Sequence, residues 1–404
     1  MVKARYKPFW LDEIITLSIA KLPRISDIWA LCRSGAEYQP PLYHYLMRAS
    51  IRLFGSDELG IRLPSIAGYV LFCLCLYWFV ARCTSRLYGL IAMLFPCLTR
   101  CWYYATEGRS YALVLACSGI AAVCWQSIAM NRRRTWMLFG LGVSSACAIG
   151  LHYYSVLLFV PLASAELVRS YQRRKIDVTV WLALAVPFAT LIPYLPLIRE
   201  NRLRAGILYV PFARPAWYGS LDLFASQFLR SSLVALVAIG CVYLIFEIFG
   251  QASEPEREKR ESPMRTTFLP VAILVLGFTC LPIFGIALSK FVTHLFFDRY
   301  VMAAVFGISA LLALGLWRAY SGRKEPALAV LLILVGVIAH AGVWDLKEAK
   351  AQRSNPPRAA LQDKIPAAAF PRQPAYRGGG PRRVHDVQLL RRSSVAPTRL
   401  VRVE

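Results

Sequence analysis

Four short clusters hold the residues best suited to chemistry. Asp12 and Glu13 follow Trp10-Leu11, and Glu107 and Arg109 lie in Tyr103-Tyr104-Ala105-Thr106-Glu107-Gly108-Arg109-Ser110-Tyr111. His152 leads Tyr153 and Tyr154, and Asp298-Arg299-Tyr300 follow Phe296-Phe297. A carboxylate can take a proton from a reacting hydroxyl, and an arginine presents a planar, permanently charged fork that matches phosphate. Each cluster also has a plainer reading. Asp12-Glu13 would cap a helix running into Ile14-Ile15-Thr16, and Glu107 would pair with Arg109 at a span boundary among snorkelling aromatics. His152 would be a hydrogen-bonded structural histidine, and Arg299 would pair with Asp298 as an interfacial anchor.

The elements that must position these groups are membrane spans. The 404 residues are 57% hydrophobic, 13% aromatic and only 17% charged, and the mean hydropathy is +0.47, too apolar for an ordinary soluble domain. Crossing the hydrocarbon takes roughly 20 mostly apolar residues. Such runs recur at 63–81, 87–105, 111–130, 136–151, 153–168, 179–197, 231–249, 267–289, 300–317 and 326–344. The expected fold is therefore all-α and polytopic, with about ten transmembrane helices and a long first loop carrying the acidic pair. Three regions follow: a loop with a surface helix over 1–62, a transmembrane domain over 63–344 and a basic, disordered tail over 345–404. The surface helix is the amphipathic stretch Leu42 to Phe54, set off by Pro40-Pro41 and ended by Gly55.

The net charge of +24 does not point to nucleic acid, because the basic residues sit between apolar runs instead of interleaving with aromatics along one soluble face. Arg82 and Arg86, Arg132-Arg133-Arg134, Arg173-Arg174-Lys175, Arg257 through Arg260, and Arg318 with Arg323-Lys324 fall in alternate connections, which marks those as cytoplasmic. The same rule puts Asp12, Glu107, Arg109, His152, Asp298 and Arg299 together at the other face. The longer loop 198–230 at that face also carries arginines. Tyr194, Pro196, Trp217 and Tyr218 are candidates to line a lipid groove, although aromatics gather at every membrane interface. Most of the eleven cysteines lie inside apolar runs without C-x-x-C spacing, as small packing residues do.

Trp10-Leu11-Asp12-Glu13, Gln39-Pro40-Pro41-Leu42-Tyr43-His44-Tyr45 and Arg62-Leu63-Pro64-Ser65 resemble the first extracytoplasmic loop of the C-type glycosyltransferases, which include protein mannosyltransferases and aminoarabinose transferases. The Glu107–Tyr111 pattern, His152-Tyr153-Tyr154 and Arg299-Tyr300 extend the resemblance over residues 8–320. It implies an inner-membrane, multi-pass enzyme with its site facing the extracytoplasmic side, moving a sugar from a polyprenyl-phosphate donor to a lipid, glycan or protein acceptor. Asp12, Glu13 and Glu107 would then be catalytic, with Asp12 the base. Tyr43, Arg109, His152, Tyr153 and Arg299 would bind substrate. One base suffices for an inverting displacement whose leaving group is already a phosphate. The paired carboxylates leave Mg²⁺ or Mn²⁺ open as a ligand, while some members of the resembled family work without metal.

The alternative is a transporter or flippase for a lipid-linked sugar, which would place ionisable residues at mid-membrane. Here the spans hold chiefly Glu166, Glu247 and His340. The resemblance further implies a span ahead of the acidic loop. Only nine residues precede Trp10, so the expectation is a start upstream or a loop exported without a leader. The Pro-, Arg- and Gly-rich tail is expected to be an atypical end or, with the missing span, the mark of a noncatalytic remnant.

Overall fold

The computed structural model describes residues 9–35, 37–55, 57–205, 217–226, 265–294, 296–320 and 322–353. Among these residues every regular element is a helix or helical turn. The tail from 354 onward and the expected span 231–249 lie outside the described residues.

Three short helices precede the first span: α1 (Leu11–Ala20), α2 (Ile25–Arg33) and α3 (Pro41–Phe54). Pro41 opens α3, where a missing N–H costs nothing, and Gly55 closes it in the left-handed conformation at φ 62°. Tyr43, His44, Met47 and Arg48 face inward, whereas Leu53 and Phe54 are exposed. The stretch expected to be amphipathic is thus a helix with one buried face. Arg48 ties it to the turn between α1 and α2, donating to the carbonyls of Leu22 and Pro23.

The bundle follows as α4 (Asp57–Cys83), α5 (Arg86–Leu94), the short α6 (Cys101–Tyr104), α7 (Tyr111–Ala129), α8 (Arg134–Leu151), α9 (Phe159–Arg173), α10 (Val178–Ala185), α11 (Leu195–Ala205), α12 (Trp217–Phe224), α13 (Arg265–Thr279), α14 (Leu281–Leu288), α15 (Ala304–Ala319) and α16 (Lys324–Arg353). Five helical stretches among the described residues are long and apolar enough to cross a membrane: 58–83, 111–129, 134–151, 178–203 and 324–344. Counting α13 and α14 as one bent span, with an angle of 49° between them, makes six. The chain is a multi-pass membrane protein.

Several expected spans are not single rods. The 87–105 run breaks into α5, a 3₁₀ turn over Phe95–Leu98 and α6, because Pro96 cannot supply its N–H to a continuing helix. The 153–168 run begins as a 3₁₀ turn at Tyr153–Leu158, and the 300–317 run becomes α-helical only at Ala304.

α4 packs on α7, α7 on α8, α9 on α13 and α13 on α15. Phe306 centres the apolar core, with ring centroids 5.1 Å from Phe79 and 5.0 Å from Phe278. Small residues set the helix approach: a Cβ on Gly307 would lie 2.5 Å from both Thr279 N and Val275 O, so α15 meets α13 backbone to backbone. At the end of the bundle away from Asp12, the buried Glu166 carboxylate takes both forks of Arg169 at 2.8 Å and the Trp125 indole N–H at 3.1 Å. Arg169 and Arg134 then share Asp177, at 2.8 and 2.5 Å.

Candidate active site

The two acids of the first cluster have different surroundings. Glu13 is fully buried, and its carboxylate receives Arg62 in a two-pronged pair, Nε at 2.8 Å and the terminal nitrogen at 2.7 Å. The Gly108 N–H donates to the same carboxylate at 2.8 Å. One carboxylate thus joins α1, α4 and the turn ahead of α7. Its partners are complete, as a buried charge requires, so Glu13 acts geometrically as a fastener. The phenyl ring of Phe9 covers the guanidinium of Arg62 at 4.9 Å.

Asp12, next in the helix, points the other way and keeps its side chain 21% exposed. Its Oδ2 lies 3.7 Å from a terminal nitrogen of Arg109 and 3.9 Å from one of Arg299. These are charge contacts beyond hydrogen-bond length. Arg109 also donates to the Asp12 carbonyl at 3.4 Å and to Thr16 Oγ1 at 3.3 Å. Burial works to lower the pKa of Arg109, but Tyr111, Glu37, Asp12 and Tyr43 outweigh it and hold the guanidinium above its ordinary value. For Arg299, burial acts the same way and is outweighed by Tyr111, Tyr300, Tyr104 and Asp12. Both arginines stay charged, and the buried Nε of each has no hydrogen-bond partner among the described residues.

Aromatic rings wall this centre. The Arg299 guanidinium stands 4.6 Å from the Phe297 ring and 5.8 Å from Tyr111, and His152 lies 4.7 Å from Tyr300 and 5.8 Å from Tyr111. His152 Nδ1 accepts the Tyr154 N–H at 3.3 Å, which leaves the imidazole proton on Nε2. Burial, then Arg109 and Arg299, push the His152 pKa down to about 3, so it is a neutral donor. Asp298 accepts the Arg299 N–H at 2.8 Å and pairs with Arg100 at 3.7 Å. It therefore serves Arg100 and the local turn instead of neutralising the Arg299 fork.

The remaining candidates sit around this centre. Glu107 is fully buried and accepts the Tyr103 hydroxyl. Tyr153 packs its ring on Tyr194, 6.2 Å away. Tyr43 is buried with its hydroxyl unpartnered among the described residues. The sequence reading assigned no role to Glu37 or His44. Glu37 Oε1 accepts the N–H groups of Tyr38 and Gln39 at 2.9 and 3.0 Å, and Oε2 faces His44 Nε2 at 3.9 Å. Burial raises the Glu37 pKa, and burial together with Arg109 lowers that of His44 to about 3. An acid just ahead of the Pro-Pro pair was the one available signal for this second acid–base couple beside Arg109. Among the described residues no three His, Cys, Asp or Glu side chains converge to hold a metal ion. Glu13 is filled by Arg62 and Gly108, so this carboxylate is not free to serve Mg²⁺ or Mn²⁺ as a ligand.

The fold and part of the sequence have counterparts among known proteins. Residues 38–197 match the family described as dolichyl-phosphate-mannose-protein mannosyltransferase. The crystal structure of ArnT from Cupriavidus metallidurans bound to undecaprenyl phosphate is similar at a TM-score of 0.52 and 14% identity, over 85% of this chain and 62% of that one. ArnT in the apo state gives 0.49 at 14% identity, over 76% of this chain and 53% of that one. The oligosaccharyltransferase of Archaeoglobus fulgidus gives 0.48 at 13%, over 79% and 48%. The chain thus spans about half to three fifths of these proteins' lengths. No curated protein sequence matches it. The resemblance expected from the motifs is borne out: the chain has the fold of ArnT, and residues 38–197 match the mannosyltransferase family's sequence pattern.

Proposed function

We propose that the chain is a glycosyltransferase that moves a sugar from a polyprenyl-phosphate donor to a hydroxyl of a lipid, glycan or protein acceptor. It would work at the extracytoplasmic face of the inner (plasma) membrane and invert the anomeric centre. The observation that carries this reading is the Asp12 carboxylate, part-exposed and held between the forks of Arg109 and Arg299. That is a base beside two phosphate-binding groups. In the reaction, the acceptor oxygen bonds to the anomeric carbon as the carbon–oxygen bond to phosphate breaks. Asp12 takes the hydroxyl proton, and the departing phosphate takes over the arginine charges that faced Asp12. His152, neutral and carrying its proton on Nε2, is a further donor at the same place. Glu13 holds the strand of chain that presents Asp12. The ArnT bound to undecaprenyl phosphate and the mannosyltransferase family match support the donor class.

The test is transfer from a panel of radiolabelled polyprenyl-phosphate sugars in membranes containing the chain. Asp12→Asn should abolish transfer while leaving the amount of folded protein unchanged, and wild-type turnover in that variant would refute Asp12 as base. Translocation of the donor without transfer in the wild-type protein would point to a carrier.

A further inference from the structure

A groove of about 550 Å³ opens between α2 and α11, lined by Arg33, Leu195, Pro196, Arg199, Glu200 and Leu203. None of its lining residues is among those around Asp12. Leu195 and Leu203 are 57% and 63% exposed. Among the described residues neither Arg33 nor Arg199 has a hydrogen-bond or ion-pair partner.

The depth of the groove is set by its floor and neighbours. Leu197 of α11 packs inward with Ile28 and Cys32 of α2 and Ile19 of α1. Tyr194 lies 6.1 Å from Trp29 and 6.2 Å from Tyr153, an aromatic set of the kind that marks the headgroup level. The groove therefore opens on the face that carries Asp12. By the distribution of basic connections this is the face from which arginine is normally depleted, yet Arg199, Arg202 and Arg204 follow one another there. Arginines at that face have no role as orientation markers, and two of the groove's lining residues, Arg33 and Arg199, are cationic against one carboxylate, Glu200.

We propose that this groove binds the phosphate of a lipid head group, independently of the donor site. The forks of Arg33 and Arg199 would straddle the phosphate, while Leu195, Pro196 and Leu203 would cover the first part of its chains, as interfacial apolar residues do. Two exposed forks lining one groove with a single carboxylate, Glu200, argue for phosphate, and the apolar side argues for a lipid over a free ion.

Native mass spectrometry of the full chain in detergent tests this. The titrant is dioleoyl phosphatidic acid, with dioleoylglycerol, which has the same chains without phosphate, and inorganic phosphate as comparators. It is run in an Arg299→Gln background so that the candidate active site contributes less. Phosphatidic acid should be retained well above dioleoylglycerol. Arg33→Gln with Arg199→Gln should weaken it at least about tenfold, the loss of one charged hydrogen bond or more, and Lys at both positions should restore part of it. Both side chains are exposed, so an unchanged melting temperature confirms that the variant folds. Retention of phosphatidic acid by the Gln pair would overturn the proposal. So would equal binding of dioleoylglycerol, or displacement by equimolar inorganic phosphate, which would make the groove a simple anion site. None of these readouts depends on glycosyl transfer, so failure of the proposed enzyme activity would leave the result standing.

Discussion

The pair Glu13–Arg62 separates a fastening role from a catalytic one. Both side chains are fully buried, with two hydrogen bonds of 2.7 and 2.8 Å between them and a third from Gly108 to the carboxylate. Removing one partner strands the other as an uncompensated buried charge, which costs about 3–5 kcal/mol. Arg62→Met should therefore destabilise the protein by about that amount, although Arg62 touches no proposed substrate. Glu13→Gln keeps an acceptor for Gly108 but loses the charge, so its cost should fall at the lower end of that range. The double variant Glu13→Leu with Arg62→Met removes both charges and should recover at least about 2 kcal/mol relative to the sum of the single losses, since charges in direct contact couple by up to about 3 kcal/mol. The assay is equilibrium unfolding in mixed micelles, run beside transfer activity. A Glu13→Gln variant as stable as wild type but inactive would refute the fastening argument and return Glu13 to the chemistry.

Other outcomes follow from the same geometry. Arg299→Lys keeps the charge and loses the fork, so donor binding should weaken by about tenfold; unchanged donor affinity in a binding titration would make Arg299 an anchor only. His44 and His152, both with pKa values pushed down to about 3, should stay neutral from neutral pH to well below 6.5 in imidazole NMR spectra. The unfolded chain binds protons near 6.5 that the folded chain refuses, so stability should fall as pH drops from 6.5 toward 3, by up to about 1.4 kcal/mol per pH unit per histidine. Glu37, whose raised pKa favours the folded state at low pH, should offset part of that loss, and a flat stability profile in a Glu37→Gln variant would contradict the assignment. Gly307→Ala places a methyl group 2.5 Å from backbone atoms of α13 and should cost about 1–3 kcal/mol by overpacking, read as a lowered melting temperature.

Much of this architecture is legible in the residues. The apolar runs foretell a helical membrane protein, and the charge alternation places Asp12, Arg109, His152 and Arg299 at one face, where the structure brings them together. What the residues do not reveal is the difference between neighbours of the same type. Asp12 and Glu13 share one motif, but Glu13 is consumed by Arg62, 49 positions away, and by Gly108, 95 positions away, separations that local patterns do not encode. The couple Glu37–His44 escapes for a similar reason, since its setting is made by Arg109 across the site. Span counting falters where proline intervenes. At Pro96 an apolar run of the right length becomes three helical pieces, because hydropathy registers composition and not the missing N–H.

The clasp of Glu166, Arg169, Asp177 and Arg134 bears on how the protein enters its membrane. While the chain is being threaded into the bilayer these arginines are unpaired, and under the positive-inside rule that is when their charge fixes which end of each helix stays behind. In the finished bundle the same charges are cancelled by carboxylates from α9 and from the turn ahead of α10. Arg134 and Arg169 thus change occupation once, from signpost to mortar, while Arg132, Arg133, Arg173, Arg174 and Lys175 stay exposed on the mature protein as the lasting record of its orientation.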